Sequence, residues 1–443
     1  MQPPCRVANW IERLRGGGVG AVLARGASVF LVVHVAGVGV GFGVQVLLAR
    51  VLGTLSYGTY VWVFSWMMLL LLVCRAGLAT ASLRFVPEFS AHEDWPRLRG
   101  WLRTSQLVVL LASLAVAGAT ALTVFLLGER LSDAARRTFL VGCLALPVYA
   151  FLQLLGHQLR GFKRVLASQV PSTLLQPVLL GLAALLVVAA GSGRLDAPAA
   201  MWLNLGSASA ALLGSAVLLR RALPPELSGA PGRSETRAWL RVAAPLMLFN
   251  ALFVIQERTD VLLVGSLAGA EQAGLYAAAS RLASVILFGL VAVNAWAAPL
   301  ISDLHARRDH AGLQRLVRLS AQGIFVSTLP IALGVVVFGV EVLSLFGPDF
   351  PAAYRALVIL AGSQLVNALV GPVGVLMTMT GRQALAARIL GVHAFLMVAL
   401  NLLLIPRFGI EGAAVATGVT RASWNLVMAV AVWRTLRLRA TIV

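Results

Sequence analysis

Twelve mostly apolar stretches follow one another through this chain, at about 27–51, 58–82, 103–127, 137–157, 167–190, 198–219, 242–267, 273–300, 318–345, 353–379, 384–405 and 411–434. A helix needs about 20 such residues to cross a bilayer, because it rises about 1.5 Å per residue and hydrocarbon offers no partner to a free backbone group. With 59% of its 443 residues hydrophobic and 12% charged, the chain is far from the soluble globular norm. The fold class that follows is an all-α polytopic membrane protein of twelve transmembrane helices. The first stretch is not read as a cleaved signal peptide, since it is too long and runs directly into a phrase that the chain later repeats.

A net charge of +19 suggests nucleic acid until the charges are placed. If the N-terminus is cytoplasmic, 25 of the 36 Lys and Arg fall on inner segments and seven on outer ones. That asymmetry satisfies the positive-inside rule and puts both termini in the cytoplasm. No soluble domain exists to carry a nucleic-acid surface, so that partner is excluded. Cys5, Cys74 and Cys143 share no useful spacing and are read as small packing residues.

The phrase LLARVLGTLSYGTY at Leu47–Tyr60 returns 216 positions later as LVGSLAGAEQAGLY at Leu263–Tyr276. Gly53, Gly58 and Tyr60 thereby fall on Gly269, Gly274 and Tyr276. A second match at an offset of 215 aligns Glu88 with Asp303, Asp94 with Asp309, Leu98 with Leu313, Arg103 with Arg318 and Ser105 with Ser320. The Pro/Gly-containing stretch 220–241 cuts the chain between the copies. The expected organisation is a cytoplasmic segment 1–26, a six-helix lobe 27–219, a cytoplasmic linker 220–241, a second six-helix lobe 242–434 and a tail 435–443. An even number of spans separates the copies, so the repeats are parallel, and a substrate is expected between them.

These phrases, with LRFVPEF at Leu83–Phe89, LRGFKR at Leu159–Arg164, DVLLVGSLAGAEQAGLYAAASRL at Asp260–Leu282 and NLLLIPRFGIEGAAVAT at Asn401–Thr417, carry a family resemblance. The chain resembles the polysaccharide transporters, or Wzx-type oligosaccharide flippases, of the multidrug/oligosaccharidyl-lipid/polysaccharide superfamily. The resemblance implies two six-helix bundles in a V around a central cavity that faces the two sides of the membrane alternately. It also implies a polyprenyl diphosphate carrying a short glycan as substrate, the cytoplasmic membrane as location, and polysaccharide polymerase machinery as a partner.

Arg75, Arg258, Arg281 and Arg421 lie within apolar stretches, where a charge costs roughly 2.5–3.5 kcal/mol on insertion scales and so should face a cavity or a partner. Glu257 and Asp260 are the acidic residues set well inside a span, and three apart on a helix they share a face from which Arg258 points away. Two readings stand side by side. Asp260 or Glu257 pairs with Arg281 to make the charges tolerable, or Arg258, Arg281 or Arg421 lines the cavity and receives diphosphate, for which an arginine fork is well shaped. A third use of the carboxylates is to bind a coupling ion. Arg25, at the inner mouth of the first span, either meets the diphosphate on entry or enforces topology. Arg75, closer to an inner end, either joins the cavity cations that bind substrate or snorkels to the interface. Arg50 reads as an interfacial anchor, and His34 as a satisfied or cavity-facing histidine.

The run GVGVGFG at Gly37–Gly43 has no soluble strand before it, so it is no dinucleotide loop. Its Gly37/Gly41 and Gly39/Gly43 pairs are of the kind that let helices approach closely. Pro171 and Pro245 are candidate kinks. No triad, metal-ligand spacing or cofactor motif occurs, and the expected outer loops near 128–136 and 191–197 are too short to hold the acceptor of a membrane polymerase or ligase. A drug or cation antiporter of the same superfamily is the other alternative. Extruding cations favours carboxylates in the first lobe, whose spans contain none.

Overall fold

The structure is a computed structural model in which residues 19–191 and 195–438 are described. The first half consists of α1 (Val19–Arg75), α2 (Leu78–Ala91), α3 (Trp95–Leu126), α4 (Asp133–Gly161), α5 (Val165–Val170), a π-helical turn at Pro171–Leu175, α6 (Gln176–Ala189) and α7 (Ala197–Ala222). The second half consists of α8 (Thr236–Leu267), α9 (Ala270–Val285), α10 (Phe288–Ala306), α11 (His310–Val337), α12 (Gly339–Ser344), α13 (Tyr354–Val370), α14 (Val373–Met379) and α15 (Gln383–Leu436). Among the described residues nine helices are long and apolar enough to cross a membrane, or ten when α9 and α10, bent by 46° at their junction, count as one broken span. Large apolar side chains such as Leu111, Leu122, Leu186 and Phe395 stand exposed on these helices, as expected where lipid is the solvent.

Two helices reverse within their own length. The Tyr57 hydroxyl donates to Gln45 Oε1 at 3.1 Å, although a straight helix would hold these residues about 18 Å apart. The chain therefore folds back at Gly53, whose φ of 75° and ψ of 172° belong to a region open essentially to glycine. α15 folds back at Gly409, since a Cβ on Gly412 would press on the Leu404 carbonyl, which a straight helix would place about 12 Å away.

The repeat seen in the sequence has a conformational counterpart. Gly269, the partner of Gly53, adopts φ 95° and ψ 165°. Asp94 caps α3 by accepting the Arg97 N–H at 3.1 Å, and its partner Asp309 caps α11 by accepting the Gly312 N–H at 2.8 Å. Caps of this type contribute about 0.5–2 kcal/mol each. Glu93 and Arg308, just before the caps, both turn to positive φ. Tyr60 and Tyr276 are both buried, as are Leu98 and Leu313.

The copies also meet. A Cβ on Gly58 would collide with the Ala270 carbonyl, and one on Gly274 would lie 2.6 Å from the Thr54 carbonyl and 3.0 Å from Gly58 Cα. Backbone thus packs on backbone where the second arm of α1 meets α9. Trp62 fills the adjoining space over Gly265 and donates its indole N–H to the Leu262 carbonyl at 3.2 Å. The seam continues along α8 to Gly77, which packs against the Ala243 carbonyl, and to Asn250, which donates to Thr80 Oγ1 at 2.8 Å. Opposite the seam, at the Gly53 end, Phe42 and Tyr57 from the first half meet Phe346 and Phe350 from the second.

Several details differ from the sequence expectations. The span expected at 58–82 stops at Arg75, where Ala76 and Gly77 take positive φ and α2 starts afresh. The stretch at 353–379 breaks at Gly371 and Pro372, and that at 273–300 breaks after Val285. In the glycine run only Gly37 makes the close approach, to Thr173, while Gly39, Gly41 and Gly43 have open space where a Cβ would stand. The segment 220–241 is pinned to the first half: the Arg233 N–H donates to the Pro96 carbonyl at 2.9 Å, Arg97 pairs with Glu235 at 3.1 Å, and Trp239 is buried among Phe85, Phe89 and Trp101. Cys74 and Cys143 are buried free thiols, whereas Cys5 lies outside the described residues.

The glycine contact generates a test. Gly58→Ala is expected to cost about 1–3 kcal/mol by overpacking, read as a lower melting temperature of the purified protein in detergent. Gly39→Ala, where a Cβ meets nothing, is expected to leave that temperature unchanged or slightly raised.

Candidate functional site

The interior of the molecule is organised around the two repeated tyrosines. In the first half Tyr60 accepts from Asn204, whose side-chain oxygen accepts from Tyr149, and Gln176 donates to Tyr149 in turn. This is a neutral network, closed on itself. In the second half the Tyr276 hydroxyl donates to Asp260 Oδ2 at 2.9 Å and lies 3.1 Å from Thr417 Oγ1. The other carboxylate oxygen accepts the Val261 N–H at 2.8 Å. Asp260 is only 1% exposed, so its carboxyl group is enclosed and hydrogen-bonded inside the second half.

Between the halves lies a cavity of about 260 Å³. Gln45, Tyr57, Tyr60, Val61 and Phe64 of α1 form its wall from the first half, and Glu257, Arg258, Arg281 and Arg421 supply the charge from the second. α8, α9 and the second arm of α15 each contribute one of the arginines. Their places within apolar stretches marked all three as cavity candidates in the sequence, and the fold brings them to one cavity from three different helices.

This arrangement bears on the pairing of the membrane charges. Among the described residues no ion pair joins Asp260 or Glu257 to Arg258, Arg281 or Arg421. Pairing of Asp260 with Arg281 is replaced by hydrogen bonds from Tyr276 and Val261. The expected shared face of Glu257 and Asp260 also divides: Glu257 is exposed on the cavity, next to Arg258, while Asp260 is enclosed behind them. Packing of Tyr276 and Thr417 against Asp260 encloses one of two residues that spacing alone would unite.

Arg75 stands apart from the cluster. It donates to Gln153 and, at 3.1 Å, to the Leu71 carbonyl, so its charge is held within the first half. Arg50 is exposed near the Gly53 reversal. The side chains of Arg25 and His34 lie outside the described residues. Among the described residues no group of His, Cys, Asp and Glu could hold a metal ion.

A second cavity, of about 470 Å³, lies within the second half and shares Glu257, Leu287 and Arg421 with the first. Its walls include two of the helix breaks of that half, at Leu287 and at Gly371–Pro372. Sequence reasoning missed it, along with Tyr57, Tyr60 and the Asn204 network. Only the repeated tyrosine pair could have signalled the networks.

Comparison with known proteins places this architecture. Residues 23–305 match the family model described as polysaccharide biosynthesis protein, which is more than half of the chain. The chain belongs to this family. A probable low-salt glycan biosynthesis flippase, Agl15 of Haloferax volcanii, is 28% identical over 164 residues, which cover 37% of this chain and 35% of that protein. The probable flippase AglR of the same organism is 26% identical over 164 residues, covering 36% and 34%. The match thus spans about a third of the length of these curated relatives. Among solved structures, the inward-facing form of a multidrug resistance MATE family transporter of the MOP superfamily has a TM-score of 0.71 at 14% identity, over 92% of this chain and 98% of that one. The lipid II flippase MurJ in an inward closed conformation gives 0.69 at 13% identity, over 91% and 87%. This family member therefore shares the two-bundle, all-helical membrane fold of both, in agreement with the superfamily resemblance drawn from its sequence.

Tyr276→Phe in this polysaccharide biosynthesis family member removes the hydroxyl that satisfies a buried carboxylate oxygen. The expected cost is about 1–3 kcal/mol, measured as a loss of thermal stability in detergent. Tyr57→Phe, whose hydroxyl faces the cavity and a single glutamine, is expected to cost less by the same measurement.

Proposed function

We propose that this protein is a flippase that carries a polyprenyl-diphosphate-linked oligosaccharide, a repeat unit of a cell-surface polysaccharide, from the inner to the outer leaflet of the cytoplasmic membrane. The observation that carries this reading is the convergence of Arg258, Arg281 and Arg421 with one carboxylate, Glu257, on the cavity between the halves. Their excess positive charge suits a diphosphate, whose oxygens accept charge-assisted hydrogen bonds from guanidinium forks. A cationic drug would meet repulsion at the same place. The flippase names of the curated relatives and of one structural neighbour support the same direction.

In this reading the arms of the two reversals are separate crossings, which gives twelve spans in two lobes, 27–219 and 242–434, with both termini and the 220–241 linker cytoplasmic. The excess of arginine on the inner segments supports that orientation. The Gly53 end is then outermost, where the Gly58–Gly274 contact and the Phe42–Phe346 cluster close the lobes. At the opposite end the α8 seam joins them. The head group enters from the cytoplasm on the side away from the seam while the polyprenyl tail stays in lipid. Opening the glycine contact and closing the inner mouth presents the head group outside. The protein performs no chemistry on the glycan, and polymerase machinery takes the product over on the outer face.

Arg281→Gln and Arg421→Gln are each expected to reduce export by about tenfold or more, the worth of a lost hydrogen bond to a charged group, with membrane insertion unchanged. Export is read from surface polysaccharide in a deletion strain complemented with each variant. Normal export by both would overturn the cationic cavity. Deletion itself is expected to make a lipid-linked glycan accumulate on the inner leaflet, detected by mass spectrometry. Altered drug sensitivity without that accumulation would identify an antiporter instead.

A further inference from the structure

The cavity inside the second half is polar in an unusual way. Gln364, on α13, is 1% exposed, yet neither its Nε2 nor its Oε1 has a hydrogen-bond partner in the protein, although it lines this cavity. Asn294 Oδ1, on α10, is likewise buried and unpartnered and lines the same space. Each such group costs stability when it is left unsatisfied. Each lies about two turns from a break in its span that lines the same cavity, and broken membrane helices are where backbone and side-chain polarity is turned toward a bound solute. Trp424 adds a flat apolar surface: its indole N–H is engaged by Asn425 Oδ1 at 2.6 Å, which holds the ring in place. At about 470 Å³, the volume falls in the roughly 300–1,000 Å³ range of small-molecule sites.

We propose that this cavity is the glycan subsite: Gln364 and Asn294 hydrogen-bond sugar hydroxyls, and the Trp424 ring takes a sugar's C–H face. An amide that both donates and accepts suits a hydroxyl, which does the same, whereas an alkyl chain would leave it unsatisfied. The subsite rests on the flippase reading and extends it. Glu257 and Arg421 border both cavities, so a diphosphate held by the arginines between the halves has its first sugars directed into the second half. The lobes then divide the task, with the aromatic wall of α1 enclosing the diphosphate and the second half reading the glycan.

The test uses the full chain purified into nanodiscs. Binding of two ligands is compared by native mass spectrometry: undecaprenyl diphosphate, and the lipid-linked glycans extracted from cells lacking the gene. Wild type is expected to bind the glycan-bearing lipid at least about tenfold more tightly, the worth of one or two well-made hydrogen bonds. Gln364→Leu and Trp424→Leu are expected to abolish that preference while leaving undecaprenyl diphosphate binding unchanged, and Trp424→Phe is expected to restore part of it. Gln364→Leu also removes two unsatisfied buried groups, so its melting temperature is expected to equal or exceed that of wild type; a clear fall would show that the amide has a structural partner and would overturn the subsite. Equal binding of both lipids by wild type overturns the subsite alone and leaves the arginine cavity standing. Failure of wild type to bind either lipid overturns the flippase reading, and the subsite with it.

Discussion

The contact of Gly58 with Gly274 is the constraint from which most of this molecule follows. Two backbones can approach so closely only where both lack side chains, and here the two glycines are the same residue of two copies of one sequence phrase. A repeat whose equivalent residues touch must lie across a local two-fold axis, and that axis fixes how the halves face one another. It places the two arms that follow Gly53 and Gly269 side by side. It also leaves the walls that turn away from the contact, Tyr57 to Phe64 on one side and Ala277 to Ser284 on the other, as the lining of the space between the halves. In a bilayer no hydrophobic force draws helices together, so such close packing must supply the attraction.

Symmetry of the scaffold makes the asymmetry of charge informative. At the offset that aligns the glycines, Arg281 corresponds to Ser65 and Arg258 to Phe42. Tyr60 and Tyr276 keep equivalent places, yet Tyr60 joins a neutral amide network and Tyr276 satisfies a carboxylate. The first half has therefore kept a neutral, aromatic face toward the cavity. The second half concentrates the charge there and holds Asp260 internally through hydrogen bonds. Arg281 is exposed on that cavity and Arg258 and Arg421 are half-buried there; in the flippase proposed above, the diphosphate of the cargo meets their charge.

What the sequence made legible was whatever rests on local periodicity or on identity between copies. Apolar length showed the spans, the repeat showed the two halves, and Asp94 with Asp309 showed helix starts that the structure caps in the same way. What it hid depends on contacts between distant residues. The three-residue spacing of Glu257 and Asp260 reports direction around a helix axis, not what lies opposite. Tyr276 and Thr417 lie opposite Asp260, and both are far from it in the chain. The breaks at Ala76, Leu287 and Gly371 escaped notice for a related reason. A hydropathy window averages over a break as long as the flanking residues stay apolar, and these do.

Those breaks matter because of where they occur. In the second half both border the internal cavity, where unpartnered amides of Gln364 and Asn294 also lie. An uninterrupted helix satisfies its own backbone and gives a solute nothing polar to hold; interrupting it near a cavity reverses this at a cost to stability. The first half contains a comparable irregularity, the π-helical turn at Pro171–Leu175, but there Thr173 meets Gly37 and the space is filled by packing. One half thus spends its irregularity on closing a helix contact and the other on opening a polar chamber. In the flippase and glycan subsite proposed above, a scaffold with two similar lobes rocks as a symmetric body while recognising its cargo from one side.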